Sequence, residues 1–202
     1  SKVTILCNPN APSSTLEPVS EIERLARAVA GLLVVDEAYI DFADSDESAI
    51  ALVKRLPNLV VLRTFSKAFS LAGLRVGLAF GSEDIVGNMA KVKDSYNLCR
   101  LSLAGAVAAL GDMEWMRRNV GRIQRTRKTL IRGLRNLGFQ VPTSQANFVM
   151  AQLGSDSIRW LYEGLRDQGI LVRFFDVPEL RNMIRVTVGR PRETREFLRE
   201  TE

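Results

Sequence analysis

Along the first hundred positions, short β-branched apolar runs alternate with segments whose apolar residues recur at helical spacing. "VTILC" (3–7) is a buried-strand run that stops at the polar "NPNAPSS". "EIERLARAVA" (21–30) has helical period, and "LLVV" (32–35) is a second strand closed by "DEAY". The order then repeats: "DESAIALVKRL" (46–56) reads as a helix, "NLVVL" (58–62) as a third strand, and "RTFSK" follows it. Strands this short and apolar, alternating with helices, predict βαβ units and a mainly parallel sheet covered on both faces. Right-handed crossovers bring the carboxyl ends of parallel strands to one edge of the sheet, and ligands of open α/β sheets bind there. The three polar tails therefore converge. One site is predicted, holding Asn8 or Asn10 with Asp36, Tyr39, Thr64, Ser66 and Lys67, and with Arg75 arriving just afterwards.

After Gly111 the pattern changes. A long helix from about Glu114 to Leu137 carries Met116, Val120, Ile123, Leu130, Leu134 and Leu137 at helical spacing, leaving its arginines mainly on the opposite face. "GFQVPTSQANFVMAQL" follows, then a helix near Ser155 to Gln168, strand-like "ILVRFF" and "MIRVTV", and a last helix near Arg192 to Thr201. The predicted fold class is α/β: part of a mainly parallel three-layer large domain over residues 1–111, then a long connecting helix and a small α+β domain over 112–202. The chain opens directly in a strand, so it reads as a piece of a longer protein.

Composition narrows the chemistry. With 202 residues, 46% of them hydrophobic and 25% charged, this is an ordinary globular chain. It has no histidine, which excludes Ser-His and Cys-His nucleophile systems and histidine-ligated metals. Lysine, carboxylates, tyrosine and arginine are left to act. Cys7 and Cys99 have no C-x-x-C spacing, so neither a disulfide framework nor a metal site is predicted, and a cytoplasmic setting fits. The longest apolar stretches fall far short of the ~20 residues of a membrane span. The net charge of +5 is concentrated in "RRNVGRIQRTRKTLIRGLR", where few aromatics interleave. That is the pattern of a solvated helix face, not of a nucleic-acid platform.

The most informative stretch is "RTFSKAFSLAGLRVG" (63–77), which sets Lys67 between Phe65 and Phe69. Burying an ammonium without a partner is costly, so a lysine in such company either snorkels to water or is chemically employed. Burial and nearby cations favour the neutral, nucleophilic amine.

"VVDEAYIDF", "LRTFSKAFSLAGLRVG" and "IRVTVG", in this order and spacing, resemble the fold-type I, class I/II aminotransferases that use pyridoxal phosphate, and among them the histidinol-phosphate branch. The resemblance runs through essentially the whole chain. It implies transamination between histidinol phosphate and 2-oxoglutarate or glutamate, by a homodimer whose N-terminal part precedes this sequence. It further implies that Lys67 forms the Schiff base with the cofactor and carries the proton. In the same reading Asp36 pairs with the pyridine nitrogen, Tyr39 and Asn10 touch the 3′-oxygen, and Arg75, Ser66 and Thr64 hold the phosphate. Arg185 would grip the substrate α-carboxylate, and Arg173 the substrate phosphate or the second carboxylate of glutamate. One departure stands out: where the family reads N-P-T-G, this chain has Ala11, Pro12, Ser13 and Ser14. Aromatic or aspartate aminotransferases and threonine-phosphate decarboxylase-like enzymes share the motifs, and a non-catalytic binding module on the same fold is the alternative of a different class.

Overall fold

The computed structural model describes residues 1–202, which divide into two compact units: Ser1–Asn10 with Leu16–Asn119, and Ala11–Thr15 with Val120–Glu202. The first unit is built on a four-stranded sheet in the order β1 (Val3–Cys7), β2 (Leu32–Asp36), β3 (Leu59–Thr64), β4 (Gly77–Phe80). β1, β2 and β3 are parallel, in the register Cys7↔Asp36 and Asp36↔Leu62, and β4 returns antiparallel to β3. Period-2 alternation sends Leu33, Val35, Leu59 and Val61 to one face, where all are fully buried. Helix α1 (Val19–Ala28) covers them with Ile22 and Ala26, one turn apart, and Ala49, Leu52 and Leu56 complete the cluster. Side chains of this size each contribute roughly 1.5–3 kcal/mol when fully buried.

The second predicted crossover helix is not one. Residues 46–56 form only a 3-10 turn at Ala49–Leu52, with Ser48 Oγ accepting from the Ile50 amide at 3.2 Å. Ala49 and Leu52 are three apart, a spacing that a 3-10 turn stacks on one side, and Pro57 stops any continuation. Beyond β4 lie α2 (Glu83–Val92) and α3 (Arg100–Gly111), which bury almost nothing except Ser102 and Ala106.

In the second unit β5 (Phe148–Gln152), β6 (Arg173–Phe174) and β7 (Met183–Thr187) form an antiparallel sheet in the order β5-β7-β6. The strand expected over 170–175 is reduced to two residues. The division between the units falls inside α4 (Met113–Asn136), whose Leu130 and Leu134 pack with Val149, Ile184, Leu161 and Leu165 of α5 (Arg159–Asp167), and Phe197 of α6 (Pro191–Thr201). α6 starts with proline at its first position, and the Arg190 amide donates to Glu193 Oε2 at 2.7 Å. One arginine departs from the predicted polar face: Arg127 is 2% exposed and donates from Nη1 to Ala146 O at 2.9 Å, securing the loop before β5.

Candidate active site

The carboxyl ends of β1, β2 and β3 lie side by side because the strands are parallel and consecutive, so the polar tails meet as the pattern predicted. The Asn8 amide donates to Asp36 O at 2.8 Å, and the Glu37 amide to Leu62 O at 2.9 Å, carrying the ladder past the strand ends. Asp36 is half-buried, and its Oδ1 accepts from the Ala38 amide at 3.0 Å, which fixes the carboxylate at the rim. Cys7 and Asp36 are register partners on neighbouring strands, and burial, then the charge of Asp36, push the Cys7 thiol above its ordinary range.

Asn8 is 2% exposed and ties down its own loop. Its Nδ2 donates to Glu17 O at 3.0 Å, and its Oδ1 accepts from the Glu17 amide at 2.7 Å. Asn10, two residues on, is half-buried. Ser14, at φ 62°, belongs to the second unit, where its carbonyl accepts from the Gln145 amide at 2.9 Å.

Past β3 the chain turns sharply. Thr64 Oγ1 accepts from the Ser66 amide at 3.0 Å, and the Ser70 amide donates to Lys67 O at 3.1 Å. The half-buried Lys67 places its Nζ 5.3 Å from the centroid of the Tyr39 ring. The flanking phenylalanines do not wrap this ammonium: Phe65 and Phe69 pack on each other, centroids 4.8 Å apart, within a cluster containing Val76 and Ala106. The lysine's setting is therefore a tyrosine face at the strand tips, not the apolar sleeve suggested by its neighbours in sequence.

Arg75 is brought to the same loop by the β3–β4 ladder. The Phe65 amide donates to Val76 O at 3.1 Å, leaving Ser66 and Arg75 as the next residues on either side. Arg75 sits at φ 55°, exposed, with Nη1 donating to Ala72 O at 2.9 Å and no carboxylate partner. The turn at 72–74 is set by α3: a Cβ on Gly105 would come within 2.6 Å of Leu74 Cδ1.

Between the site residues sits a group that motif reading passed over. Glu37 faces away from Asp36 and is 1% exposed, accepting from Ser48 Oγ at 2.6 Å and the Ala49 amide at 2.7 Å. Arg63 reaches Glu37 at 3.4 Å and Asp41 at 2.5 Å. Burial holds both carboxyls above the ordinary carboxylate range, against the opposing pull of their hydrogen bonds and of Arg63.

In the second unit Arg173 and Arg185 are direct cross-strand partners in the β6–β7 register. Arg185 lies 5.0 Å from the Phe148 ring and Arg173 lies 5.5 Å from Phe175, and neither has a carboxylate partner. Like charges directly opposite one another are unfavourable in a sheet, so the pair suits an anion held between them.

The sequence matches the family described as "Aminotransferase class I and II" over residues 1–200. It is 47% identical over 195 residues to the histidinol-phosphate aminotransferase of Gluconacetobacter diazotrophicus, covering 95% of this chain and 54% of that protein. It is 44% identical over 200 residues to the enzyme of that name from Syntrophotalea carbinolica, covering 99% and 56%. The fold superposes with a TM-score of 0.92, at 29% identity, on histidinol-phosphate aminotransferase from Sinorhizobium meliloti solved in complex with pyridoxal-5′-phosphate, covering 98% of this chain and 56% of that one. The chain thus spans about half the length of the curated relatives it matches. With an α/β fold, a lysine at the strand tips and a family match from end to end, the chain belongs to the class I and II aminotransferases.

Proposed function

We propose that the protein transfers an amino group between histidinol phosphate and 2-oxoglutarate, using pyridoxal phosphate held at the strand tips of the first unit. The observation that carries this reading is Lys67 Nζ lying over the Tyr39 ring at 5.3 Å, on the same sheet edge as Asp36. The donor set fits the group: an amine for the aldehyde, a carboxylate for the ring nitrogen, a phenol for the 3′-oxygen, hydroxyls and a guanidinium for the phosphate. When bound, pyridoxal phosphate supplies an aldehyde that condenses with amines and a ring that takes up the electron pair left at an α-carbon.

Each residue has a part in that chemistry. Asp36 accepts a hydrogen bond from the ring nitrogen and holds its proton in place. Tyr39, with Asn10, orients the 3′-oxygen. Arg75, Ser66 and Thr64 would hold the phosphate, anchoring the group beside Lys67. Lys67 Nζ would hold the aldehyde carbon, with loss of water, until the substrate's amine displaces it, and the freed amine would then carry a proton to and from the substrate α-carbon. Arg185 and Arg173 serve the substrate: glutamate brings two carboxylates and histidinol phosphate a phosphate, and forked cations accommodate either anion. A cytoplasmic homodimer belongs to the same reading.

Initial rates over a panel of amino donors with 2-oxoglutarate, using the full chain, test the assignment. Histidinol phosphate should be the best donor. Turnover of aspartate or aromatic amino acids with none of histidinol phosphate would reject it.

A further inference from the structure

We propose that Glu37, Arg63 and Asp41 form a positioning strut that holds the Tyr39 turn against the strand that leads into the Lys67 loop. Its link to the cofactor rests on the reading of Lys67 and Tyr39 given above, whereas its geometry does not.

Arg63 lies on β3, immediately before Thr64 and four residues before Lys67. Its guanidinium crosses to the loop after β2, with Nη1 3.4 Å from Glu37 Oε2 and Nη2 donating to Asp41 Oδ1 at 2.5 Å. Those two carboxylates bracket Tyr39, one two residues before it and the other two residues after. A single planar fork thus spans the turn from which the Tyr39 ring meets Lys67 Nζ. Glu37 is held in turn by Ser48 Oγ and the Ala49 amide, the entry of the 3-10 turn at Ala49–Leu52, so the strut also has a fixed base.

Stability alone does not account for such a group. The cost of taking three charges out of water offsets much of their attraction, and apolar side chains of similar volume fill such a space as well or better. What apolar packing lacks is direction. A guanidinium fork sets distance and angle together, and here it joins the two loops that carry the aldehyde-binding amine and the ring contacts.

The test uses two variants of the full chain. Glu37→Gln/Arg63→Met/Asp41→Asn removes all the charges at once, so that none is stranded, and Arg63→Lys keeps a cation that cannot fork. Amide hydrogen exchange without cofactor, and the Kd for pyridoxal phosphate from titration of its visible band, are measured on both. The strut requires exchange over 38–42 at least tenfold faster in the triple variant, with β2 and β3 protected as before, and Kd at least tenfold weaker. Arg63→Lys should fall between it and the unaltered protein, and carries the same decision if the triple variant fails to fold. Unaltered exchange over 38–42, or unaltered Kd, in a folded variant would overturn the proposal. If the unaltered protein takes up no pyridoxal phosphate, the functional reading falls, and the exchange comparison still decides the strut.

Discussion

At the scale of single residues, the site combines groups left without charge partners with groups bound tightly into the fold. Arg75 has no acid to neutralise it, and hydrogen bonds to a charged group contribute about 1.5–3 kcal/mol. Arg75→Ala should therefore weaken pyridoxal phosphate binding about ten- to a hundred-fold in a titration of the visible band. An unchanged affinity would remove this residue from the phosphate site. The two thiols provide a second check on where Asp36 points. Burial and the Asp36 charge raise the Cys7 thiol, whereas hydrogen bonds from Ser102 lower that of the exposed Cys99. Since the thiolate is the reactive form, iodoacetamide at neutral pH should modify Cys99 several-fold faster than Cys7. Asp36→Asn should speed the labelling of Cys7, as followed by mass spectrometry. Equal rates at both thiols would contradict the burial of Cys7 and the Ser102 contact of Cys99, and no response to Asp36→Asn would contradict the placement of that carboxylate.

At the scale of elements, the legible parts are those where period and polarity change together. β1, β2 and β3 stand out as short apolar runs, and because each ends in a polar tail the sheet edge where those tails gather can be placed from the sequence. The stretch over 77–111 cannot be read that way. α3 is apolar on nearly every side yet buries only Ser102 and Ala106, so no periodicity marks its packed face. The strut is equally hidden, because the burial of Glu37 and its pairing with Arg63 are tertiary facts that spacing does not encode. Phe65 and Phe69 mislead for a related reason: neighbours in sequence around a turn need not be neighbours in space. That turn also offers a stability test. Ser70 is exposed at φ 59°, where a non-glycine residue costs roughly 1–2 kcal/mol. Glycine gives back about 0.5–1 kcal/mol of that gain through chain entropy. Ser70→Gly should therefore stabilise the protein by about 0.5–1 kcal/mol in denaturant unfolding, and a lowered midpoint would show that the serine side chain holds the turn.

At the scale of the whole molecule, the first unit leaves apolar surface that water does not favour. Ile5 is 70% exposed, Val92 86% and Leu101 79%, and β1 and β4 are each paired on one side only. Unpaired edges beside apolar patches of this kind recruit other chains. The 202-residue chain by itself should accordingly self-associate in sedimentation velocity, with weight-average mass rising with concentration. A single monomeric species across the range would mean that these faces are better solvated than their composition allows. The proposed chemistry turns on one amine, and its direct test is spectroscopic. The full chain mixed with pyridoxal phosphate should develop a visible absorbance band that persists through gel filtration and is abolished by Lys67→Ala. A band of equal strength in Lys67→Ala, or none in the unaltered protein, would contradict the account.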